Sequence, residues 1–250
     1  MQKFFAILAA FTYSVFERVF SILTGYMSRQ GMILNAFTVP NGALIYVNAS
    51  FITSVAVTVS TNAAEAILTT GAVHGLSTGE YFEYTNNWSR SSGNIYRAKA
   101  ASGSTVTAEG LDTTSTGAFP VGGGVGTIRR IPSWTQIQQI LGTSSNGGEQ
   151  QFTTFQPLES DAERRLPTNK SASGLTMTIG DDPTLAGYII VSAANDDRLA
   201  RGLRIDLPNG SKLLYGAILS LNKTPTLTVN EVMSVEMTAS IVNSPVRYAT

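Results

Sequence analysis

"LRIDLPNGSKLLYGAILSLNKTP", Leu203 to Pro225, decides the fold. Leu203, Ile205 and Leu207 fall on one side of an extended chain, with Arg204 and Asp206 on the other, because side chains alternate across a strand. Pro208-Asn209-Gly210 then supplies a turn: proline presets one dihedral and glycine takes a positive φ without steric cost. Past the turn, Leu213, Tyr215, Ala217, Leu219 and Leu221 share a side. The period of two returns in Met233, Val235, Met237, Ala239 and Ile241, with Ser234, Glu236, Thr238 and Ser240 opposite. Three such runs predict an antiparallel sheet with one side for a core. The other side is polar yet carries few charges, and suits water or another subunit.

Upstream the pattern is shorter and more broken. Asn41 to Ser60, "NGALIYVNASFITSVAVTVS", is rich in β-branched and aromatic residues and reads as extended. From Ile67 onward, strand-like pieces alternate with Gly, Asn and Ser about every ten residues, the spacing of a small barrel or sandwich. "FPVGGGVGTIRRIPSW" reads as a hinge into a second unit, with Gly122–Gly126 a flexible connection. One helix is expected after Asp182, which is placed to cap it, with Pro183 in its first turn. Leu185, Tyr188, Ile189 and Val191 form its apolar side, and Asn195-Asp196-Asp197 ends it.

Composition narrows the function. Only 14% of the 250 residues are charged, against an average of about 25%. Lys plus Arg and Asp plus Glu are both 17, so the net charge is zero. That argues against a dedicated DNA-binding surface, which needs a basic excess. It also leaves little repulsion to oppose self-association. Without cysteine there is no disulfide framework and no thiolate metal site, which fits a reducing compartment. Residues 1–26 form an apolar leader. Glu17-Arg18 interrupts it before the length of a membrane span. It reads as upstream translation before a true start at Met27; a signal peptide or membrane anchor and an amphipathic helix are the alternatives.

No catalytic constellation assembles. "GLSTG", Gly75–Gly79, matches a nucleophile elbow, but His74, the only histidine, adjoins it and is badly placed as a base for Ser77. Gly122–Gly126 lacks the Lys of a phosphate loop. Gly180-Asp181-Asp182 suits a helix start. No enzyme, cofactor or metal is expected. "ESDAERR" (Glu159, Asp161, Glu163, Arg164, Arg165) is a charge cluster in a charge-poor chain. It reads either as a solvated loop or as a loop making salt bridges to a neighbouring subunit.

The second half nonetheless resembles the major tail tube proteins of long-tailed (siphovirus-like) bacteriophages. The stretch runs from "WTQIQQILGTSSNGGEQQFTTF" through "RLPTNKSASGLTMTIGDDPTLAGY" to "NEVMSVEMTASIVNSPVRY". Its markers are the L-P-N-G-S-K hairpin, the N-E-V-M strand entry and the closing S-P-V-R-Y strand. "VHGLSTGEYFEY" to "AEGLDTT" resembles a small β module that recurs in phage tail proteins. Together they cover about 190 residues, from roughly Ala56 to Tyr248.

The resemblance implies a mainly β chain: a tail-tube-type β-sandwich or barrel with one flanking helix, plus a small inserted β-barrel-like domain. The expected divisions are the leader 1–26, the first part of the tube domain 27–66, the inserted domain 67–131 and the tube core 132–250. It implies a structural virion protein, assembled in the host cytoplasm into stacked rings, usually hexamers, around a channel for the genome. The implied partners are the chain itself, a tape measure protein, tail terminator and distal tail proteins, and DNA passing without specific binding; no membrane is expected. Ser234, Glu236, Thr238 and Ser240 are the candidates for the channel side. A tail terminator or baseplate-hub adaptor of the same fold is the alternative. A carbohydrate-binding module is a third, resting on Tyr81, Tyr84, Trp88 and Tyr96.

Overall fold

The computed structural model describes residues 41–249; the leader 1–26 and Met27 lie outside them. The strands in chain order are β1 (Leu44–Val47), β2 (Val55–Ser60), β3 (Ile67–Thr70), β4 (Tyr81–Asn86), β5 (Asn94–Ser102), β6 (Thr105–Ala108), β7 (Gly126–Arg130) and β8 (Thr135–Ile137). Then come β9 (Ile140–Asn146), β10 (Gln150–Phe155), β11 (Arg164–Lys170), β12 (Gly174–Gly180), helix α1 (Ala186–Asp197), β13 (Ala200–Asp206), β14 (Lys212–Leu221), β15 (Ser234–Ile241) and β16 (Val246–Tyr248). The chain is mainly β, as expected, with one helix among the described residues.

The quoted stretch is the β13–β14 hairpin. Leu203 lies opposite Tyr215 and Ile205 opposite Leu213. Its turn closes through Gly210 N–H to Leu207 C=O (2.9 Å) and Leu207 N–H to Ser211 C=O (2.9 Å), with Gly210 at φ 82°. It sits mid-sheet in the order β8-β1-β13-β14-β15-β12-β9, with β16 also on β14. Ile45, Val47, Ile137 and Leu203 from one half of this sheet share a single core with Leu175, Met177, Val235 and Met237 from the other. The sheet therefore curls round its core, as the twist of long antiparallel sheets allows. Val191 and Ala194 of α1 complete the core.

The helix differs from expectation at its start. Its N-cap is Leu185, without a side-chain cap. Asp182 instead accepts Thr184 N–H (3.0 Å) and O–H (2.6 Å), closing a turn before the helix. A short Asp side chain offers its own backbone an alternative to the helix. Ile189 is exposed, not part of the apolar side. The end at Asp197 is as expected, with Arg198 left-handed at φ 56°.

The second body is a closed barrel in the order β2-β3-β6-β5-β4-β7. Its first strand is Val55–Ser60, which pairs with β3 and β7. The boundary expected at 67 is thus too late: a barrel cannot close without a strand to join its ends. Nor is Gly122–Gly126 a hinge. A Cβ on Gly124 would stand 2.6 Å from the Trp88 ring, and one on Gly126 2.0 Å from Thr85 C=O. Gly123, Gly124 and Gly126 are there for close packing as the chain enters β7, while Gly122, in open space, supplies a positive φ of 81°.

Barrel and sheet meet through a shared cluster of Ile95, Ile131, Leu214 and Tyr248, flanked by Phe51, Tyr81 and Trp134. Gly202 and Gly216 are cross-strand partners. Their missing side chains leave a dent on the side of the hairpin away from the main core. A Cβ on Gly216 would lie 2.2 Å from Gly93 C=O, and one on Gly202 2.7 Å from Ile95. Arg204 beside the dent stacks on Tyr46 (4.3 Å) and Trp134 (5.2 Å). Tyr248 fastens the rim: its O–H accepts Arg97 N–H (2.9 Å) and donates to Glu109 C=O (3.0 Å). The Arg97 guanidinium covers the Tyr248 ring at 4.7 Å and grips Glu109 through two hydrogen bonds (2.5 and 2.6 Å).

Two predictions follow from this junction. Gly216→Val drives a side chain into the Gly93 carbonyl, a backbone atom that has nowhere to move. It should cost about 3 kcal/mol or more, whereas Gly142→Ala, with open space around it, should cost far less; chemical unfolding measures both. The Arg97 hydrogen bonds hold the Glu109 carboxyl below its usual range. The contact therefore stabilises fully above the ordinary glutamate value of about 4.3 and fades as pH falls through the lower, folded value. Glu109→Gln should melt below wild type at pH 7, and the gap should narrow in acid.

Candidate functional site

Among the described residues, the candidate surfaces are those the fold leaves uncovered. The first is the outer side of β9, β12, β15 and the second half of β14. On β15, Val235, Met237 and Ala239 are buried, Glu236 and Ser240 exposed, Ser234 and Thr238 half-buried. The expected register thus holds from Ser234 onward. Met233 departs from it: it precedes the strand and is 51% exposed. Cross-strand pairing sets Ser144, Thr176, Thr238 and Ser220 in one row, and Gly142, Thr178 and Glu236 in the next. Opposed residues point to the same side, so the surface is mainly a ladder of hydroxyls bearing one carboxylate, with the exposed Ile218 beside Ser240.

The second surface is an arm. β9 and β12 form a hairpin stem, and the chain continues beyond it as β10 and β11. The joint is at Gly147 and Gly148, with φ of 71° and 79°. A Cβ on Gly147 would stand 1.8 Å from Ala172 C=O, so no other residue fits. Glu149 C=O accepts Ser171 N–H (2.9 Å) and carries the ladder across. Every residue of both arm strands is exposed. Phe152, Phe155, Leu158 and Leu166 stand in solvent, Leu158 completely.

The expected inter-subunit residues lie on this arm, though not all in its loop. Glu159, Asp161 and Glu163 are in the connection; Arg164 and Arg165 open β11, opposite Phe155 and Thr154. None of the five enters an ion pair within the described residues. The sequence reading fixed on charge and passed over the apolar residues. Phe152, Phe155 and Leu166 in runs with no alternating partner were the available signal.

The remaining motifs have structural duties. His74 Nε2 lies 3.0 Å from Thr105 C=O, and its Nδ1 accepts Leu76 N–H (3.0 Å). Both ring nitrogens are thereby occupied, while Ser77 sits exposed in a loop. Asp181 accepts the Tyr188 O–H (3.3 Å). The aromatic residues offered for sugar stacking are unsuitable: Trp88, Tyr84 and Tyr96 are buried, and burial pushes both tyrosines up to about 12. Tyr81 stands edge-on to Trp134 in the barrel–sheet junction.

The family described as phage tail tube protein, TTP, matches residues 86–250. No curated protein matches. Among solved structures, similarity is found to the sheath–tube complex, in its extended state, of an extracellular contractile injection system called PVC. It is 15% identical with a TM-score of 0.32, covering 43% of this chain and 80% of that one. The anti-feeding prophage tube-terminating cap is similar at 16% identity and a TM-score of 0.32, covering 43% and 79%.

The register of β15 makes a sharp contrast testable. Val235→Asp places an unpaired charge in the core and should destabilise by on the order of 4 kcal/mol. Met233→Asp, two residues earlier and in solvent, should melt within a few degrees of wild type. Circular dichroism on both variants checks the strand's start.

Proposed function

The chain belongs to the phage tail tube protein family, and from that premise we propose that it assembles into rings, six subunits to each, stacked into the tube that conducts the genome. It is a structural protein of the virion tail. Its partners in this reading are further copies of itself, the tape measure protein held in the channel during assembly in the host cytoplasm, and the terminator and distal tail proteins at the tube's ends. No catalytic role is assigned to it.

The observation that carries the assembly is the arm. A two-stranded hairpin with apolar side chains on view, and no described residue of its own chain to cover them, is an unusual liability in a monomer. It becomes intelligible as a contact to another copy. Glu159, Asp161, Glu163, Arg164 and Arg165 then meet neighbouring subunits. The channel side is the hydroxyl ladder, with Ser234, Glu236, Thr238 and Ser240 along it. Its chemistry supports this: DNA must pass without adhering, and the surface offers short hydroxyls and a carboxylate but no cation to gather phosphates. The barrel, docked on the outer side of the other half of the sheet, decorates the outside.

Electron microscopy of the purified chain, with distal tail complex as nucleus, should show tubes. Glu236→Lys should leave these tubes intact in reconstituted tails and slow DNA ejection, the defect easing as salt screens the added charges. Ejection at wild-type speed in low salt would remove Glu236 from the channel. Single rings that never stack would favour the terminator or adaptor instead.

A further inference from the structure

Four large apolar side chains stand in solvent at one end of the curled sheet. Leu227, Val229, Val232 and Met233 are 76, 86, 69 and 51% exposed. They belong to the connection from β14 into β15, and that connection is built rather than loose. Thr226 N–H donates to Ser234 C=O (2.8 Å) and Glu231 N–H to Thr228 C=O (3.3 Å), with Asn230 at φ 67°. The loop is a small closed hairpin that holds its apolar side chains outward.

At the other end of β15 lies a cleft of about 550 Å³. Leu175, Tyr215, Ile241 and Val242 supply its apolar lining, and the root of the arm, Gly147 to Gly148 and Lys170 to Ser173, forms a wall. Its size is within the range of clefts that seat ligands and side chains. Loop and cleft mark the two ends of one eight-residue strand, roughly 25 Å apart at about 3.3 Å per residue. One molecule does not bring them together. Two copies displaced along the strand direction do.

Charge agrees with this pairing. Lys170 is the charged residue in the cleft lining, and Glu231 is the charged residue between Thr226 and Ser234. Among the described residues neither takes part in an ion pair. We propose that the β14–β15 loop of one copy seats in the arm-root cleft of the next, Leu227 and Val229 inward and Glu231 against Lys170, with the arm laid alongside. This rests on the tube reading above and names its axial contact. The contact joins different surfaces of identical chains. It does not close on itself, so each copy added presents a fresh loop and a fresh cleft.

The test uses the full chain, nucleated as above, with tube mass read by sedimentation and tube length by electron microscopy. Leu227→Asp with Val229→Asp should melt like wild type, since both sites are exposed, yet lose about tenfold or more of its tube mass. Glu231→Lys and Lys170→Glu should each shorten tubes, and the double variant should restore them. A second measurement uses preformed assemblies. Rings with the loop variant, mixed with rings carrying Lys170→Glu and Val242→Asp, should join only in pairs, because one good loop meets one good cleft. Wild-type tubes from the Leu227→Asp, Val229→Asp chain, or a double charge variant no better than its singles, overturns the loop-and-cleft contact alone. A wild-type chain that never stacks strikes the tube reading itself, and this contact with it.

Discussion

Around the Gly202–Gly216 pair the β13–β14 hairpin is covered on both sides, and the rest of the molecule is arranged around that constraint. One side gives Leu203, Ala217, Leu219 and Leu221 to the main core. The other gives Leu214 to the junction with the barrel and holds the Gly202–Gly216 dent open for Gly93 and Ile95. A dent made from two absent side chains admits backbone to backbone, and such contacts tolerate almost no added volume. The barrel is therefore seated rather than tethered. The last strand reinforces the seat, since β16 pairs with β14 while Tyr248 bonds to the barrel. Residues far apart in sequence converge on one hairpin.

That coverage is asymmetric, and the asymmetry has consequences. The outer side of β13 and the first half of β14 is occupied by the barrel. The outer side of β15, β12 and β9 has no cover and is polar. Hydroxyl groups there remain solvated without attracting a counterion cloud, while the core side of β12 and β15 is apolar, with Leu175, Met177 and Ile179 on one strand and Val235, Met237 and Ala239 on the other. The alternation that makes a strand amphipathic thus gives one element two environments. Composition and topology agree: a chain with so few charges leaves this surface almost neutral.

Much of the fold was legible because period two is a strong signal. The three runs from Leu203, Leu213 and Met233 became β13, β14 and β15, Met233 itself excepted, with the turn at Pro208 to Gly210 as read. Positions failed where one side chain serves a local purpose. Asp182 reads as a cap but closes a turn with Thr184. Gly122 to Gly126 reads as a hinge, because sequence records only that side chains are missing, not what fills the space. Gly202 and Gly216 were passed over for the same reason, though glycine inside an alternating run is itself a mark of close backbone approach. The hydroxyl row was visible residue by residue on β15; its continuation through Thr176, Ser144 and Ser220 depends on register between distant strands, which no local pattern carries.

Exposed apolar side chains at both ends of one sheet raise a question of restraint. Among the described residues the arm is bare, β9 ends the sheet and four loop residues stand in solvent, features that in a monomer invite indiscriminate pairing. The arm carries several guards. Pro167 sits opposite Phe152 in β11 and removes a backbone donor from the ladder there. Glu149, Glu159, Asp161, Glu163, Arg164, Arg165 and Lys170 place mixed charges within a few residues of its phenylalanines, in a chain otherwise poor in charge. In the proposed assembly, an approach out of register would meet like charges or the ladder interrupted at Pro167. The same features that would weaken a generic sticky edge make a directed contact selective, and selectivity is what an open, repeating assembly of identical subunits requires.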